Sequence, residues 1–125
     1  MANPNLAGTS TTIYGVTTYL TPGTTAATVL LSNAASSGTV MKINQIVAAN
    51  VTGSAAVNVT VAINNLAAGA GTAFPVASIV SVPQAASLIV VDKTTAIYLM
   101  ENSSITVTSG TSSGITYSIS YELIA

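Results

Sequence analysis

Strict alternation of apolar and polar residues is the feature of this sequence that most constrains its fold. In the closing stretch ITYSISYELI, every odd position from Ile115 to Leu123 is apolar, and the even positions carry small hydroxyl residues and one glutamate. The stretch VNVTVAIN repeats the pattern from Val57 to Asn64. Because successive side chains of a strand point to opposite faces, a period of two predicts antiparallel strands with one packed face.

Further segments rich in Val, Ile, Thr and Tyr alternate with clusters of Gly, Ser, Asn and Pro along the whole chain. Breaks such as Thr21-Pro22-Gly23 carry residues that favour tight turns. The pattern predicts about eight or nine short strands, drawn from nine candidate segments. They are Thr11–Leu20, Ala26–Ser32, Thr39–Ala49, Ala55–Asn64, Ala73–Val82, Ser87–Val91, Ala96–Met100, Ser104–Thr108 and Ile115–Ile124.

About eight or nine short strands without a long helical pattern predict an all-β fold: an antiparallel two-sheet sandwich, jelly-roll-like or otherwise Greek-key. A short helical turn is expected within Asn64–Ala70. The apolar phase changes between Ile43 and Ile46, which a β-bulge or a strand passing between sheets explains. Residues 1–10 (MANPNLAGTS) are interpreted as a flexible, extended N-terminal arm, and residues 11–125 as a single β-sandwich domain.

Two runs, Leu88–Val91 and Ile97–Met100, are apolar on both faces. Such strands are buried on both sides, either by the protein itself or by a neighbouring subunit. Each run has four residues, far fewer than the roughly 20 that a membrane-spanning helix needs. The first ten residues also lack the basic and apolar regions of a secretory signal. We therefore expect no membrane partner.

Charged residues make up 4% of the chain, against about 25% in a typical globular protein. The ionic residues are Lys42, Lys93, Asp92, Glu101 and Glu122. Two lysines cannot displace the counterions that nucleic-acid binding requires, so no nucleic-acid partner is expected. A net charge of -1 also gives little electrostatic repulsion between copies of the chain.

Catalytic groups are scarce in this composition. Without His or Cys, the chain cannot build a Ser-His-Asp triad, a Cys-His pair or a histidine metal site. The three carboxylates are interpreted as turn and edge residues, and no acidic cluster suits calcium. We therefore expect no enzyme activity, no catalytic residues, no cofactor and no metal. Asn50, Asn58 and Asn102 match the glycosylation pattern, which we attribute to chance.

The tyrosines are the candidate contact residues. Tyr117 and Tyr121 alternate with apolar residues on one strand face, which favours core packing. Tyr14 and Tyr19 have opposite parity, and both contact and core roles remain open for them. Without Trp, the chain lacks the usual aromatic platform of a carbohydrate-binding module.

The missing charges point to assembly. Free monomers usually protect exposed strand edges with charges, especially Lys, whereas obligate interfaces are depleted in charge. A surface of Ser and Thr packs closely without the desolvation cost of burying ions. We therefore expect other protein subunits to cover much of this surface in the working state.

The stretch SLIVVDKTTAIYLMENSSITVTSGTSSGITYSISYELIA resembles the C-terminal half of small virion structural proteins from tailed bacteriophages, particularly phages of marine bacteria and cyanobacteria. The N-terminal half is similar only in being rich in β-strands. The positions that carry the resemblance are Val90, Asp92, Lys93, Ile97–Leu99, Glu101, Asn102, Ser104, Ile105, Val107, Ser120–Glu122 and Ile124.

The resemblance implies a structural protein of the virion, assembled in the host cytoplasm. Within a virion it favours a capsid decoration or cement protein, a homotrimer that braces the major capsid protein shell. The nearest alternative is a β-sandwich protein of the tail, neck or fibre. A second alternative is an adhesive cell-surface subunit.

Overall fold

A computed structural model describes residues 12–125, and the predicted arm at residues 1–10 lies outside them. The described chain is all-β, as predicted, with nine strands and two short 3-10 turns at Ala67–Gly69 and Lys93–Thr95. The strands are β1 (Ile13–Leu20), β2 (Thr28–Asn33), β3 (Val40–Asn50), β4 (Val57–Asn64), β5 (Ala73–Val82), β6 (Ser87–Val91), β7 (Ile97–Leu99), β8 (Ser103–Ser109) and β9 (Ile115–Ile124).

The strands form two antiparallel sheets that pack face to face. One sheet has the order β1-β9-β3-β6, with β7 following β6 along the same edge of β3, and the other has the order β2-β8-β4-β5. The β4–β5 connection and the short turn between β6 and β7 stay within one sheet, and each other connection crosses to the opposite sheet. This order confirms the predicted sandwich and is that of a jelly roll.

The predicted alternation builds the core between the sheets. Ile115, Tyr117 and Ile119 of β9 are fully buried, and so are Val59 and Val61 of β4. Burial of these side chains removes apolar surface from water, and each Å² removed stabilises the fold by roughly 25 cal/mol. The period of two therefore specifies which face of each strand lies inside.

The phase change in β3 is a bulge. The pairing of β3 with β9 shifts between Ile43 and Gln45, so Asn44 is an extra residue. Because Ile43 and Ile46 are both buried against the same sheet partner, the bulge returns the apolar phase to the core. The strand does not pass between sheets.

A departure from strict alternation occurs at the end of β4. Ala62 and Asn64 point away from the core and yet are almost fully buried. The turn at Ala67–Gly69, which falls within the predicted helical turn, folds over this end of the sheet: Gly69 N donates to Ser104 Oγ at 2.9 Å, and Ser104 Oγ donates to the Leu66 carbonyl oxygen at 2.8 Å. The turn therefore covers part of the outer face.

Three successive strands, β2, β3 and β4, end in a buried asparagine: Asn33, Asn50 and Asn64. Each side-chain amide donates to a backbone carbonyl of the loop that follows, those of Thr39, Ala55 and Gly69 respectively. The asparagines thus replace, at the ends of the sandwich, the backbone hydrogen bonds that the strands no longer make.

Candidate interaction surface

Four of the five ionic residues belong to the five-stranded sheet or to the turn at its edge. Lys42 of β3 and Glu122 of β9 are directly opposite each other on the outer face of the five-stranded sheet. Asp92 and Lys93 follow β6 at the edge of that sheet, whereas Glu101 lies in the turn that connects β7 to β8 of the other sheet. The sequence shows how few charges there are, but the topology is needed to show which sheet carries them.

The four-stranded sheet has no ionic residue in β2, β8, β4 or β5. Its outer face carries small uncharged side chains, among them Asn58 and Thr60 of β4, Thr108 of β8 and Ser81 of β5. We call this outer face, formed by β2, β8, β4 and β5, the uncharged face.

Exposed apolar side chains lie along β5, the edge strand of the four-stranded sheet. Phe74, Val76 and Ile79 are 57%, 42% and 70% exposed. Leu66, beside the Ala67–Gly69 turn, is also exposed. In its lack of charge, the uncharged face resembles the core of a protein interface.

The five-stranded sheet carries a shallow pocket of about 370 Å³ on its charged side. Asn44, Gln45, Asp92, Lys93 and Ser120 line it. The bulged residue Asn44 is itself one of the lining residues.

The carboxylate of Asp92 in this pocket is already engaged. Its Oδ1 accepts hydrogen bonds from the Thr94 hydroxyl at 2.5 Å and from the Thr94 backbone N–H at 2.9 Å, and so caps the 3-10 turn. These bonds favour the charged form and lower the pKa of Asp92. Among the residues that line the pocket, Asp92 is the sole carboxylate. The pocket therefore lacks the pair that acid–base hydrolysis of glycosides uses.

The other two carboxylates lie elsewhere: Glu122 is on the sheet face, and Glu101 is in the β7–β8 turn. Within residues 12–125 the structure holds no group of three or more His, Cys, Asp or Glu side chains placed to bind a metal ion. The expectations of no catalytic residue, no cofactor and no metal remain predictions.

The asparagines that match the glycosylation pattern have different environments. Asn50 is buried, and its amide donates to the Val82 carbonyl oxygen at 2.9 Å, so it cannot carry a glycan in the folded protein. Asn102 accepts a hydrogen bond from the Ala67 N–H at 3.1 Å. Asn58 is exposed on the uncharged face.

The four tyrosines singled out in the sequence fall into a buried pair and an exposed pair. Tyr117 and Tyr121 are in the core, as predicted. Tyr14 and Tyr19 of β1 are 58% and 80% exposed, so the core alternative for these two is wrong. Exposed aromatic side chains are common in interface cores, which leaves the contact role as a prediction.

The two doubly apolar runs are not buried on both sides by the chain itself. Ile89 of β6 is 60% exposed, and Tyr98 of β7 and Met100 are 47% and 54% exposed. The expectation of burial by the protein itself is wrong, because these strands lie at the sheet edge with one face towards solvent. Burial by a neighbouring subunit remains a prediction.

The two short turns are the helical elements of residues 12–125, and neither has the length or the apolar content to cross a membrane. Comparisons with models of protein families, with curated proteins and with solved structures find no match. The resemblance of residues 87–125 to virion proteins of tailed phages therefore stays a prediction.

Proposed function

We propose that this protein is a non-enzymatic structural subunit of a tailed-bacteriophage virion. Within the virion it acts as a decoration protein that binds the major capsid protein shell. The resemblance of the C-terminal part suggests the setting, and the observation that carries the assembly role is the partition of charge between the two sheets. Jelly rolls occur in viral capsid domains and in lectins, but a fold alone does not assign a function.

The uncharged face suits a permanent partner. A free protein keeps its surface charged for solubility, whereas this face has no ionic residue on any of its four strands. Burying its hydroxyl and amide groups requires hydrogen-bond partners, but it avoids the much larger desolvation cost of burying ions. In the proposed role, the uncharged face lies against the shell, and the charged side of the five-stranded sheet faces solvent.

A decoration protein stabilises a shell by adding interface between neighbouring capsid subunits. Modest contacts suffice because they are repeated over many copies. In this proposal the predicted arm at residues 1–10 contributes to docking on the shell. Deletion of residues 1–10 then reduces binding to empty heads and leaves the β-sandwich folded.

Quantitative mass spectrometry of purified particles tests the proposal. We expect this chain in a copy number comparable to that of the major capsid protein. A few copies per particle, as ring symmetry dictates, would favour the tail or neck alternative. Absence from purified particles of a phage whose infected cells produce the chain would contradict a virion role.

A further inference from the structure

The outer edge of β1 is the starting point. β1 pairs with β9 over eight consecutive residues, Ile13 to Leu20, with no shift in register. Within residues 12–125 β1 has no second strand partner, so it forms one edge of the five-stranded sheet. An edge strand presents a row of N–H and C=O groups that can pair with another chain.

The hydrogen-bond pattern shows which residues face this edge. Thr12 and Ala125 exchange both backbone hydrogen bonds, each at 2.9 Å. Bonded and non-bonded pairs alternate along an antiparallel ladder, and the register is continuous from Thr12 onwards. The even residues of β1 therefore bond to β9. The odd residues direct their N–H and C=O groups outward; they are Ile13, Gly15, Thr17 and Tyr19.

The other sheet edges carry features that hinder pairing. β5 contains Pro75, which has no N–H, and a left-handed residue, Ile79, at φ 51°. β2 and β6 are shorter, and each has an irregular register; β7 has three residues. β1 has no proline, no bulge and no charge. Within Ile13–Leu20, the strand therefore lacks the proline, bulge, charge and short length that commonly keep edges from pairing.

We propose that β1 pairs with β1 of a second copy of this chain, antiparallel, about a two-fold axis that passes through Val16. This axis pairs the four outward-facing residues with one another: Ile13 with Tyr19, Gly15 with Thr17, and the reverse pairs. An axis at Thr17 would instead place Ile13 opposite Thr21, beyond the end of β1. The edge is therefore self-complementary in this one register.

The side chains fit the same register. On the outer face, the two-fold places Tyr19, 80% exposed, beside Ile13, 57% exposed, and aromatic and β-branched residues make favourable cross-strand pairs. At Gly15 no atom lies within 4 Å of the place where a Cβ would stand, so the outer face of β1 is open at this position. Because β1 carries no charge, no like charges meet across the axis.

Two-fold pairing yields a dimer in which the five-stranded sheets of both copies become continuous. For the free chain, this dimer replaces the trimer that the resemblance implies. An interface formed along one strand buries less surface than a standard interface of about 1,600 Å², so we expect a dimer that dissociates on dilution. The inference rests on β1 alone and holds whether or not the protein belongs to a virion.

Thr17→Pro in the full chain tests the proposal. The N–H of Thr17 points away from β9, so a proline at this position removes no hydrogen bond within the protomer. It does block the ladder of hydrogen bonds with the second copy. The matched control, Thr17→Ala, loses the same hydroxyl and keeps the N–H. By analytical ultracentrifugation we expect a concentration-dependent dimer for wild type and Thr17→Ala, and a folded monomer for Thr17→Pro. A wild-type monomer at all concentrations, or a trimer that Thr17→Pro leaves intact, would overturn the proposal.

Disulfide trapping tests the register. The chain has no cysteine, so Val16→Cys introduces one thiol, opposite its copy, at a Cα separation of about 4.5 Å. That distance is suitable for a disulfide. In the control, Tyr14→Cys, the two thiols lie about 13 Å apart along the strands. Mild oxidation should give a covalent dimer of Val16→Cys and little of Tyr14→Cys. Equal trapping of both variants would rule out this register.

Discussion

The hydroxyl of Tyr117 donates a 2.6 Å hydrogen bond to the carbonyl oxygen of Thr108. Tyr117 belongs to β9 in the five-stranded sheet and Thr108 to β8 in the four-stranded sheet, so this bond joins the two layers. The side chain of Tyr117 is fully buried. Burial disfavours the phenolate and raises the pKa of Tyr117 above that of free tyrosine.

Replacing Tyr117 with Phe should lower the free energy of unfolding at pH 7 by about 1 kcal/mol, the usual net worth of a hydrogen bond. Above about pH 10, the ordinary pKa of tyrosine, the unfolded wild type releases the proton while the folded wild type keeps it. Wild-type stability therefore falls as pH rises, and Tyr117→Phe lacks this contribution. Urea unfolding should show a smaller difference in unfolding free energy between wild type and Tyr117→Phe at pH 11 than at pH 7. An equal gap at both pH values would contradict the burial of the hydroxyl.

Asn33, like Asn50, takes part in four side-chain hydrogen bonds. Its amide donates to the carbonyl oxygens of Thr39 and Leu99 at 3.0 and 3.1 Å, and its Oδ1 accepts from the hydroxyl of Ser37 at 2.6 Å. Asn33→Ala leaves these buried groups without partners and should cost about 2–3 kcal/mol in unfolding free energy. The control, Ser37→Ala, removes one of the two hydrogen bonds that Asn33 Oδ1 accepts and two exposed bonds with Thr39. It should cost less than half of that in the same thermal or urea melt. Similar losses for both variants would mean that the buried carbonyls do not depend on Asn33.

Thr18 presents the opposite situation. Within residues 12–125 its Oγ1 is buried without a hydrogen-bond partner, and such a group costs about 1–3 kcal/mol. Thr18→Val keeps the shape and removes the hydroxyl, so we expect the melting temperature to rise. At the neighbouring Thr17, whose hydroxyl lies 3.0 Å from that of Ser120, the same change to Val should give no rise. A drop in stability for Thr18→Val would show that the hydroxyl is satisfied in solution.

A lysine on the uncharged face should block assembly without unfolding the chain. Asn58 is exposed there, opposite Ser81, so Asn58→Lys should change stability by no more than about 0.5 kcal/mol. Buried in an interface without a partner, the same lysine is strongly unfavourable. We expect tagged Asn58→Lys, produced during infection, to be missing from purified particles. The matched control, Gln45→Lys on the charged side, should be incorporated; loss of both variants, or of neither, would argue against the uncharged face as the contact surface.

Much of the fold could be predicted because the residue pattern within a strand indicates both the strand and its buried face. The alternation from Ile115 to Leu123 specifies a buried face, and the phase change after Ile43 marks a bulge that the structure contains. The strand ends were harder to predict, because Asn33, Asn50 and Asn64 resemble ordinary polar turn residues in the sequence. An asparagine that closes an apolar run before a turn of small residues is the signal that was available.

The candidate surface was less predictable. Composition shows that charge is scarce, but the separation of Lys42 and Glu122 from the uncharged face depends on which strands pair. Likewise, Tyr14 and Tyr19 lie on a strand whose alternation is weak, so their exposure follows from the position of β1 at a sheet edge. Sheet order arises from contacts between distant parts of the chain, which local patterns do not encode.

A density map of whole phage particles at side-chain resolution would show which face of the sandwich contacts its neighbours. We expect β2, β8, β4 and β5 to face a neighbouring protein subunit, with Asn58 and Ser81 inside the contact and Lys42 and Glu122 towards solvent. A map in which the uncharged face is open to solvent, or in which the charged side makes the contact, would contradict this expectation.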